Sequence, residues 1–465
     1  MIQIDKNSDV PLHEQIADTI EAAVRDGSLR AERNLPSVRA LAERLNVSPA
    51  TVSAAYRDLI ERRIVEAHAR SGHRIAVIQK SAAGKRALLP LHRIEPRLEL
   101  HPVAEFGELV AEEARRSIDT GGYEDYRGYA PLREQLGRLN ENDGISADAE
   151  NGILISNGAQ HAIALAARTF AAGGRVAIED PVYPGARLAF SGAGALLSAI
   201  PMTDDGPTVG ALEAAAKAEG IDLFYCCPTY GNPSGRSWSI ETRKRVIGLA
   251  RKYGFLVLED DYLRDLDYLG EKLPPLATLA KGTNAKVLHV RTFSKCLLPA
   301  LRMAGISAAP DLIDRLLAIK TADDVCGSAF LQRPLARYLE AGRYKRHLER
   351  VRPAYTEIRR AIRERAKKAK NGLRFENPDA GLCLLATLPE GVDAELFAEA
   401  CRKEGTLVSP GNAYWAKPSD GSKRFRIGFG SIRVDETEQA FSGMERAVER
   451  ARDRSMENFF KRALL

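Results

Sequence analysis

The sequence predicts an α/β protein in two parts: a small three-helix unit closed by a hairpin, then a large domain on a mostly parallel sheet with a smaller α+β end. Three observations predict it. Up to about Ile78, apolar residues recur at helical spacing and give way to an alternating, turn-broken stretch. From about His101, short apolar strands alternate with helical segments, the rhythm of a parallel sheet covered on both faces. After about Arg343, long charged helices lead into a mixed pattern of short elements. The parts are placed at residues 1–79 and 101–465, with a linker at 80–100 and the smaller subdomain starting near 343.

Leu12, Ile16, Ile20 and Val24 stripe a first helix that stops near Asp26-Gly27. Ser37 caps a second, whose apolar face is Val38, Leu41, Ala42 and Leu45. Asn46-Val47 turns the chain. Ser48 caps a third helix, with Pro49 at the first position, where a missing N–H costs nothing, and Val52, Ala55, Tyr56 and Leu59 on the buried side. I-V-E-A-H-A-R-S-G-H-R-I-A-V then alternates and turns at Ser71-Gly72. Residues 80–97 carry Gly84, Pro90 and Pro96 without a period and read as linker. Strands are predicted at Gly152–Ser156, Val176–Glu179, Ile221–Tyr225, Phe255–Glu259 and Val287–Val290.

Composition narrows the function. With 45% hydrophobic and 28% charged residues, the 465-residue chain has ample material for a core. Its six cysteines form no C-x-x-C pair, which argues against a disulfide frame or a zinc site, and no metal site is expected. No apolar run approaches the roughly 20 residues of a membrane helix, and the polar start MIQIDKNSDV is no signal peptide, so a cytoplasmic protein with no membrane partner is expected. The net charge of +6 permits nucleic-acid binding without arguing for it.

The run L-P-S-V-R-A-L-A-E-R-L-N-V-S-P-A-T-V-S-A-A-Y-R-D-L, with its hairpin, resembles the GntR-type winged helix-turn-helix from Pro11 to Ala76. The resemblance implies binding to double-stranded DNA, with the third helix in the major groove. Thr51 and Ser53 would face bases and phosphates, Ser37, Arg39 and Ser48 would hold phosphates at helix starts, and Gly72 would let the wing tip approach the backbone. Pro49 departs from the family's usual Arg or Asn, which shifts weight to Arg57 or Arg33. Residues 28–74 hold nine arginines against five acids, although residues 1–80 are almost neutral. The alternative is a helical arm used only for dimerisation.

Several motifs downstream occur in one order. T-F-S-K-C-L-L-P-A-L-R-M-A-G follows a strand; L-V-L-E-D-D-Y, P-T-Y-G-N-P-S-G, E-D-P-V-Y-P-G and S-N-G-A-Q-H-A-I precede it, and R-F-R-I-G-F-G comes near the end. From Tyr123 to Ile432 the chain resembles fold type I pyridoxal-phosphate enzymes, the aspartate aminotransferase superfamily. The resemblance implies pyridoxal 5'-phosphate as cofactor and Lys295 as the catalytic amine that forms an imine with it. It implies phosphate contacts from Gly158, Ala159, Gln160, Thr292 and Arg302, and a ring stacked on Tyr183. Asn232 and Tyr262 would hold the ring hydroxyl, and Asp260 (or Asp261, since the spacing varies by one) the pyridine nitrogen. Arg426 would bind an effector's carboxylate, with Arg424 on the opposite face of the strand. Tyr126 and Arg127 lie in the segment that reaches a neighbouring subunit's site.

Together the halves have the layout of the MocR family, giving an α/β fold class: a winged helix-turn-helix joined to a fold type I aminotransferase-like domain. The family implies a sensor rather than an enzyme. A small amine or amino-acid effector would form an external aldimine with the cofactor and alter operator binding, in a head-to-tail homodimer reading two half-sites. Gly185 stands where the γ-aminobutyrate sensors have an arginine. Two alternatives remain open: a working aminotransferase with an N-terminal extension, and a sensor of pyridoxal phosphate alone.

Overall fold

In the computed structural model the chain divides into two compact units, Met1–Ala87 and Leu88–Leu465. The structure describes residues 5, 10–25, 29, 34–61, 64–68, 72–75, 88–116, 121–218, 220–267, 273–376 and 381–463. The expected features at Asp26-Gly27, Arg33, Ser71 and residues 80–87 lie outside them.

The first unit contains α1 (Leu12–Arg25), α2 (Val38–Leu45), α3 (Pro49–Glu61) and a hairpin of β1 (Val65–His68) and β2 (Gly72–Ile75). Ser37 caps α2 by accepting from the Ala40 amide at 3.2 Å. Asn46 closes that helix in the left-handed region, a conformation asparagine tolerates, at φ 50°. Ser48 Oγ accepts from the Thr51 amide at 3.1 Å at the start of α3. The three apolar faces meet in one core of Ile16, Ile20, Leu41, Val52, Tyr56 and Leu59. The hairpin is anchored to it: Leu35 N–H donates to the His73 carbonyl at 2.8 Å, and the Tyr56 hydroxyl donates to the Pro36 carbonyl at 2.9 Å.

The second unit contains α4 (Val103–Arg116), α5 (Ala130–Asn142), β3 (Ile153–Ser156), α6 (Ala159–Phe170), β4 (Arg175–Asp180), α7 (Pro184–Gly192), β5 (Leu196–Thr203) and β6 (Gly206–Pro207). It continues through α8 (Val209–Ala218), β7 (Leu223–Cys226), α9 (Ile240–Tyr253), β8 (Leu256–Asp261), α10 (Leu276–Ala280), β9 (Val287–Thr292) and β10 (Ala304–Ser307). These strands form one eight-stranded sheet in the order β3-β10-β9-β8-β7-β4-β5-β6. The run from β9 to β5 is parallel, as the strand–helix rhythm predicts. β10 is antiparallel to both its neighbours. The carboxyl ends of β4, β7, β8 and β9 therefore share one edge of the sheet, where α/β proteins place ligands.

After α11 (Pro310–Asp324) and α12 (Ala329–Glu340), α13 (Arg343–Lys367) opens the smaller part. Its sheet of β11 (Arg374–Phe375), β12 (Cys383–Thr387), β13 (Ser409–Pro410) and β14 (Arg424–Gly428) is antiparallel, in the order β11-β12-β14-β13. Helices α14 (Ala394–Lys403) and α15 (Thr437–Ala463) complete it.

The expected linker needs correction at its second half. Residues 88–100 belong to the large unit. Leu89, Leu91 and Ile94 are buried, and Leu89 donates to the Gly405 carbonyl and accepts from the Leu407 amide, both at 2.9 Å. Pro90 opens a turn in which Arg93 N–H donates to its carbonyl at 3.2 Å, and the turn carries Leu89, Leu91 and Ile94 into the core.

Leu59 is fully buried in a core separate from that of the large unit. We expect Leu59→Ala to destabilise the first unit by about 2–5 kcal/mol. In a urea titration its helical signal should be lost earlier, while the transition of the second unit stays in place.

Candidate cofactor and effector site

A cavity of about 320 Å3 opens at the carboxyl edge of the large sheet, and the motifs converge on it. β8 and the residue after it contribute Asp260 and Tyr262. Asp260 Oδ2 accepts from the Tyr225 hydroxyl at 2.8 Å, while Oδ1, equally buried, has no protein partner. Burial pushes the Asp260 carboxyl up to about 6; the neighbouring Asp261 adds to the rise and the Tyr225 bond opposes it. Asp261 points to the other face of the strand, as alternation requires. There it meets His289 Nε2 at 3.2 Å and Arg264 at 3.8 Å, and it does not line the cavity. Of the two carboxylates the sequence left open, Asp260 lines the cavity and Asp261 does not.

Lys295 lies in the turn after β9 and lines the cavity. Burial holds its amine below the usual lysine range; Arg426 and Arg302 push the same way and Glu95 opposes them. Thr292 ends β9, and its hydroxyl accepts from the Ser294 amide at 3.2 Å. Gly158 starts α6 at φ 87°, and a Cβ there would stand 3.1 Å from Arg302 Nη2. The guanidinium thus lies against a helix N-terminus whose first N–H groups have no intrahelical acceptor, and Ala159 and Gln160 line the cavity beside it. Arg302 adopts φ 48°, a left-handed conformation an arginine rarely takes.

Tyr183 precedes α7. A Cβ on Gly185 would sit 2.5 Å from Tyr183 Cζ, so glycine is what leaves the ring its place. Gln160 Nε2 donates to the Gly185 carbonyl at 2.9 Å. Arg426, on β14, donates from Nη1 to Asn232 Oδ1 at 3.1 Å and from Nη2 to the His92 carbonyl. Arg424 turns away to Glu376 at 3.1 Å, as the strand period predicts. Tyr126 is exposed and Arg127 pairs with Asp314 at 2.6 Å; neither lines the cavity.

Sequence reasoning missed four contributors: Tyr225, Cys227, Ser294 and the segment His92–Glu95. Tyr225 and Cys227 lie at a strand's carboxyl end, a signal that was available. His92–Glu95 was hidden inside the expected linker.

In the first unit, Ser37, Arg39, Ser48, Ser53 and Arg57 are exposed and Thr51 is half-buried. Ser53 and Arg57 stand one turn apart on α3, so they share a face. Gly72 opens β2. Among the described residues, no group of His, Cys, Asp and Glu is placed to hold a metal ion, and no helix is long and apolar enough to cross a membrane.

Residues 101–442 match the family described as aminotransferase class I and II, and residues 12–75 match the bacterial regulatory proteins of the gntR family. The chain belongs to the class I and II aminotransferases, with a gntR-family helix-turn-helix ahead of that domain. This pairing is the MocR-type architecture of transcription regulators. The chain is 26% identical to the probable rhizopine catabolism regulatory protein MocR of Rhizobium meliloti over 88% of each chain. It is 27% identical to the regulator TauR of Rhodobacter capsulatus over 94% of this chain and 96% of TauR. It is also 30% identical to aromatic-amino-acid aminotransferase 1 of Thermococcus litoralis, over 72% of this chain and 81% of that enzyme. Among solved structures, the α-aminoadipate aminotransferase LysN of Thermus thermophilus superposes with a TM-score of 0.72 at 28% identity, covering 78% of this chain and 92% of LysN.

Pyridoxal phosphate is the cofactor of this domain. The cavity suits it: an unpartnered buried carboxylate oxygen matches a protonated ring nitrogen, and the Gly158–Arg302 cradle matches a phosphate. Because the Asp260 pKa rises on folding, the cofactor-free protein should lose stability as pH climbs from the ordinary carboxylate range to about 6, with no further loss above it. We expect cofactor-free Asp260→Asn to melt with the wild type near pH 4 and above it beyond pH 6. Equal melting temperatures at both pH values would contradict a buried, charge-penalised Asp260.

Proposed function

We propose that the protein is a transcription regulator in which a small amine or amino acid acts at the pyridoxal phosphate held on Lys295 and thereby alters binding to an operator. The observation that carries this reading is the convergence of Lys295, Asp260, Tyr183, Asn232, Arg302 and Arg426 on one cavity, in a chain that also carries the DNA-binding unit. Alignment with regulators over nearly the whole chain supports it.

When bound, the cofactor supplies an aldehyde that can pass from the lysine amine to an incoming primary amine. The depressed Lys295 amine spends more time unprotonated, the form that reacts with an aldehyde. Asp260 holds the ring nitrogen protonated, and Tyr225 steadies Asp260. Tyr183 covers one ring face. Asn232 and Tyr262 orient the ring hydroxyl. Gly158, Ala159, Gln160, Thr292 and Arg302 hold the phosphate. Arg426 takes a carboxylate or similar anion on the effector.

On the DNA side, Ser37, Arg39 and Ser48 approach phosphates, while Thr51, Ser53 and Arg57 present the exposed side of α3 to the major groove, with Gly72 in the wing. A head-to-tail homodimer reading two half-sites completes the reading. Its role is sensing, not turnover, and the full set of cofactor residues leaves room for residual transaminase chemistry.

Purified Lys295→Ala protein should lack the visible imine absorbance; its survival would exclude Lys295 as the anchor. Arg39→Ala combined with Thr51→Ala should weaken binding to DNA from upstream of the gene at least about tenfold at fixed salt, relative to scrambled DNA. Turnover of an amino donor and a 2-keto acid at ordinary enzyme rates, roughly 1–1000 per second, would replace the sensor reading by the aminotransferase one.

A further inference from the structure

A second cavity, of about 310 Å3, lies between α5 and the start of α13. It is nearly as large as the cofactor cavity and shares no residue with it. Helix α5 contributes Gln135, Arg138 and Asn142 to the walls, and α13 contributes Lys345 and Arg352. Arg291, Asp143 and Asp265 also line it.

The two carboxylates of this cavity are already paired. Asp265 Oδ1 accepts from Arg291, and Oδ2 accepts from the Tyr344 hydroxyl at 2.9 Å. Asp143 Oδ2 accepts from Arg291, and Oδ1 lies 3.2 Å from Arg264 Nε. The cations of the walls are not paired. Arg138 and Lys345 are exposed and meet no carboxylate among the described residues. Arg352 uses Nη2 on the Asp265 carbonyl at 3.0 Å and has no carboxylate partner among those residues either. The helix end adds to this excess of donors. Gly342 leads into α13 at φ 65°, and no side chain caps the helix. The N–H groups of its first turn therefore have no intrahelical acceptor, and Gly342, Tyr344 and Lys345 line the cavity.

Gln135 points to a ligand independently of charge. It is 8% exposed and lines the cavity, and its amide has no partner among the described residues. An amide on so buried a residue is ordinarily bonded within the protein. Here it is left to whatever occupies the cavity. Guanidinium, ammonium, carboxamide and helix N–H donors on two helices suit an anion with several oxygens better than one with two. We propose that this cavity is a second ligand site, which takes a phosphate group. The inference is independent of the roles given to Lys295 and Arg426.

Calorimetric titration of the holo-protein tests it, with the Gly158–Arg302 cradle filled by the cofactor and chloride holding the ionic strength fixed. The probes are inorganic phosphate and glycerol 3-phosphate, which has no amine to act at Lys295. We expect saturable binding of at least one of them with a Kd of about 1 mM or tighter. Tighter binding of the ester marks an organic phosphate as the ligand, and equal affinity marks phosphate itself. Arg138→Gln combined with Lys345→Gln changes exposed side chains only and should weaken binding at least about tenfold, with the visible band unchanged. Gln135→Leu, which keeps the size and removes the amide, should weaken it about threefold or more, an effect that a diffuse basic surface does not show. Absence of saturable binding to the wild type overturns the site. So does wild-type affinity in the double variant or in Gln135→Leu.

Discussion

Asp260 places a carboxyl group where its surroundings disfavour a negative charge, and its immediate neighbours are arranged around that conflict. The residue is 5% exposed, and burial lifts its carboxyl to about 6. One oxygen is satisfied by Tyr225. The other faces no donor from the protein. A buried carboxylate left half-bonded is costly, and a cationic ring nitrogen removes that cost more completely than a neutral donor can. The same electrostatics act on Lys295, whose amine is held below its usual range by burial, against Glu95 and with the help of Arg426 and Arg302. Cofactor binding is thus a completion of the fold as well as the provision of a reagent.

Adjacent carboxylates on β8 serve opposite faces, and the far face carries a buried network of ion pairs. Asp261 pairs with His289 and Arg264, Arg264 with Asp143 at 3.2 Å, and Arg291 with both Asp143 and Asp265. Tyr344 and Arg352, from α13, add bonds to Asp265 at 2.9 and 3.0 Å. Removing one member would leave an uncompensated buried charge, which is more damaging than the pairs are stabilising. The network ties the strand ends that carry Asp260 and Thr292 to the first helix of the smaller part, whose β14 carries Arg426. Asp260, Thr292 and Arg426 are thereby linked through groups that do not themselves line the cavity.

The legibility of these features follows how local their causes are. The caps at Ser37 and Ser48, the stripe through Ile16 and Ile20, and the apolar runs of β7, β8 and β9 are local consequences of residue order, and the structure repeats them. The candidate site residues were found through motif resemblance; what the spacing added was the face on which each sits, as with Arg424 and Arg426. Two features were not local. β10 runs antiparallel to its neighbours because the chain doubles back after Arg302, which no period announces. Residues 88–100 look like linker because their apolar partners, the 405–407 segment and β14, lie more than 300 residues away in sequence. Gly185 was legible only as a missing arginine, while its packing against Tyr183 needs coordinates.

An aminotransferase and a sensor can share this cavity residue for residue, so the cavity alone does not decide between them. What separates the two is where the binding free energy of the ligand acts. In an enzyme it must stabilise the transition state more than the bound substrate. In a regulator it must favour one arrangement of the chain over another, and a ligand that binds both arrangements equally shifts nothing, however tightly it binds. A contact that discriminates must therefore exist in one arrangement and be replaced in the other. Bonds from the protein to the cofactor are poor candidates, since they are needed in both. Contacts that a cavity residue makes to other parts of the chain are better ones, and Arg426 makes such a contact with the His92 carbonyl.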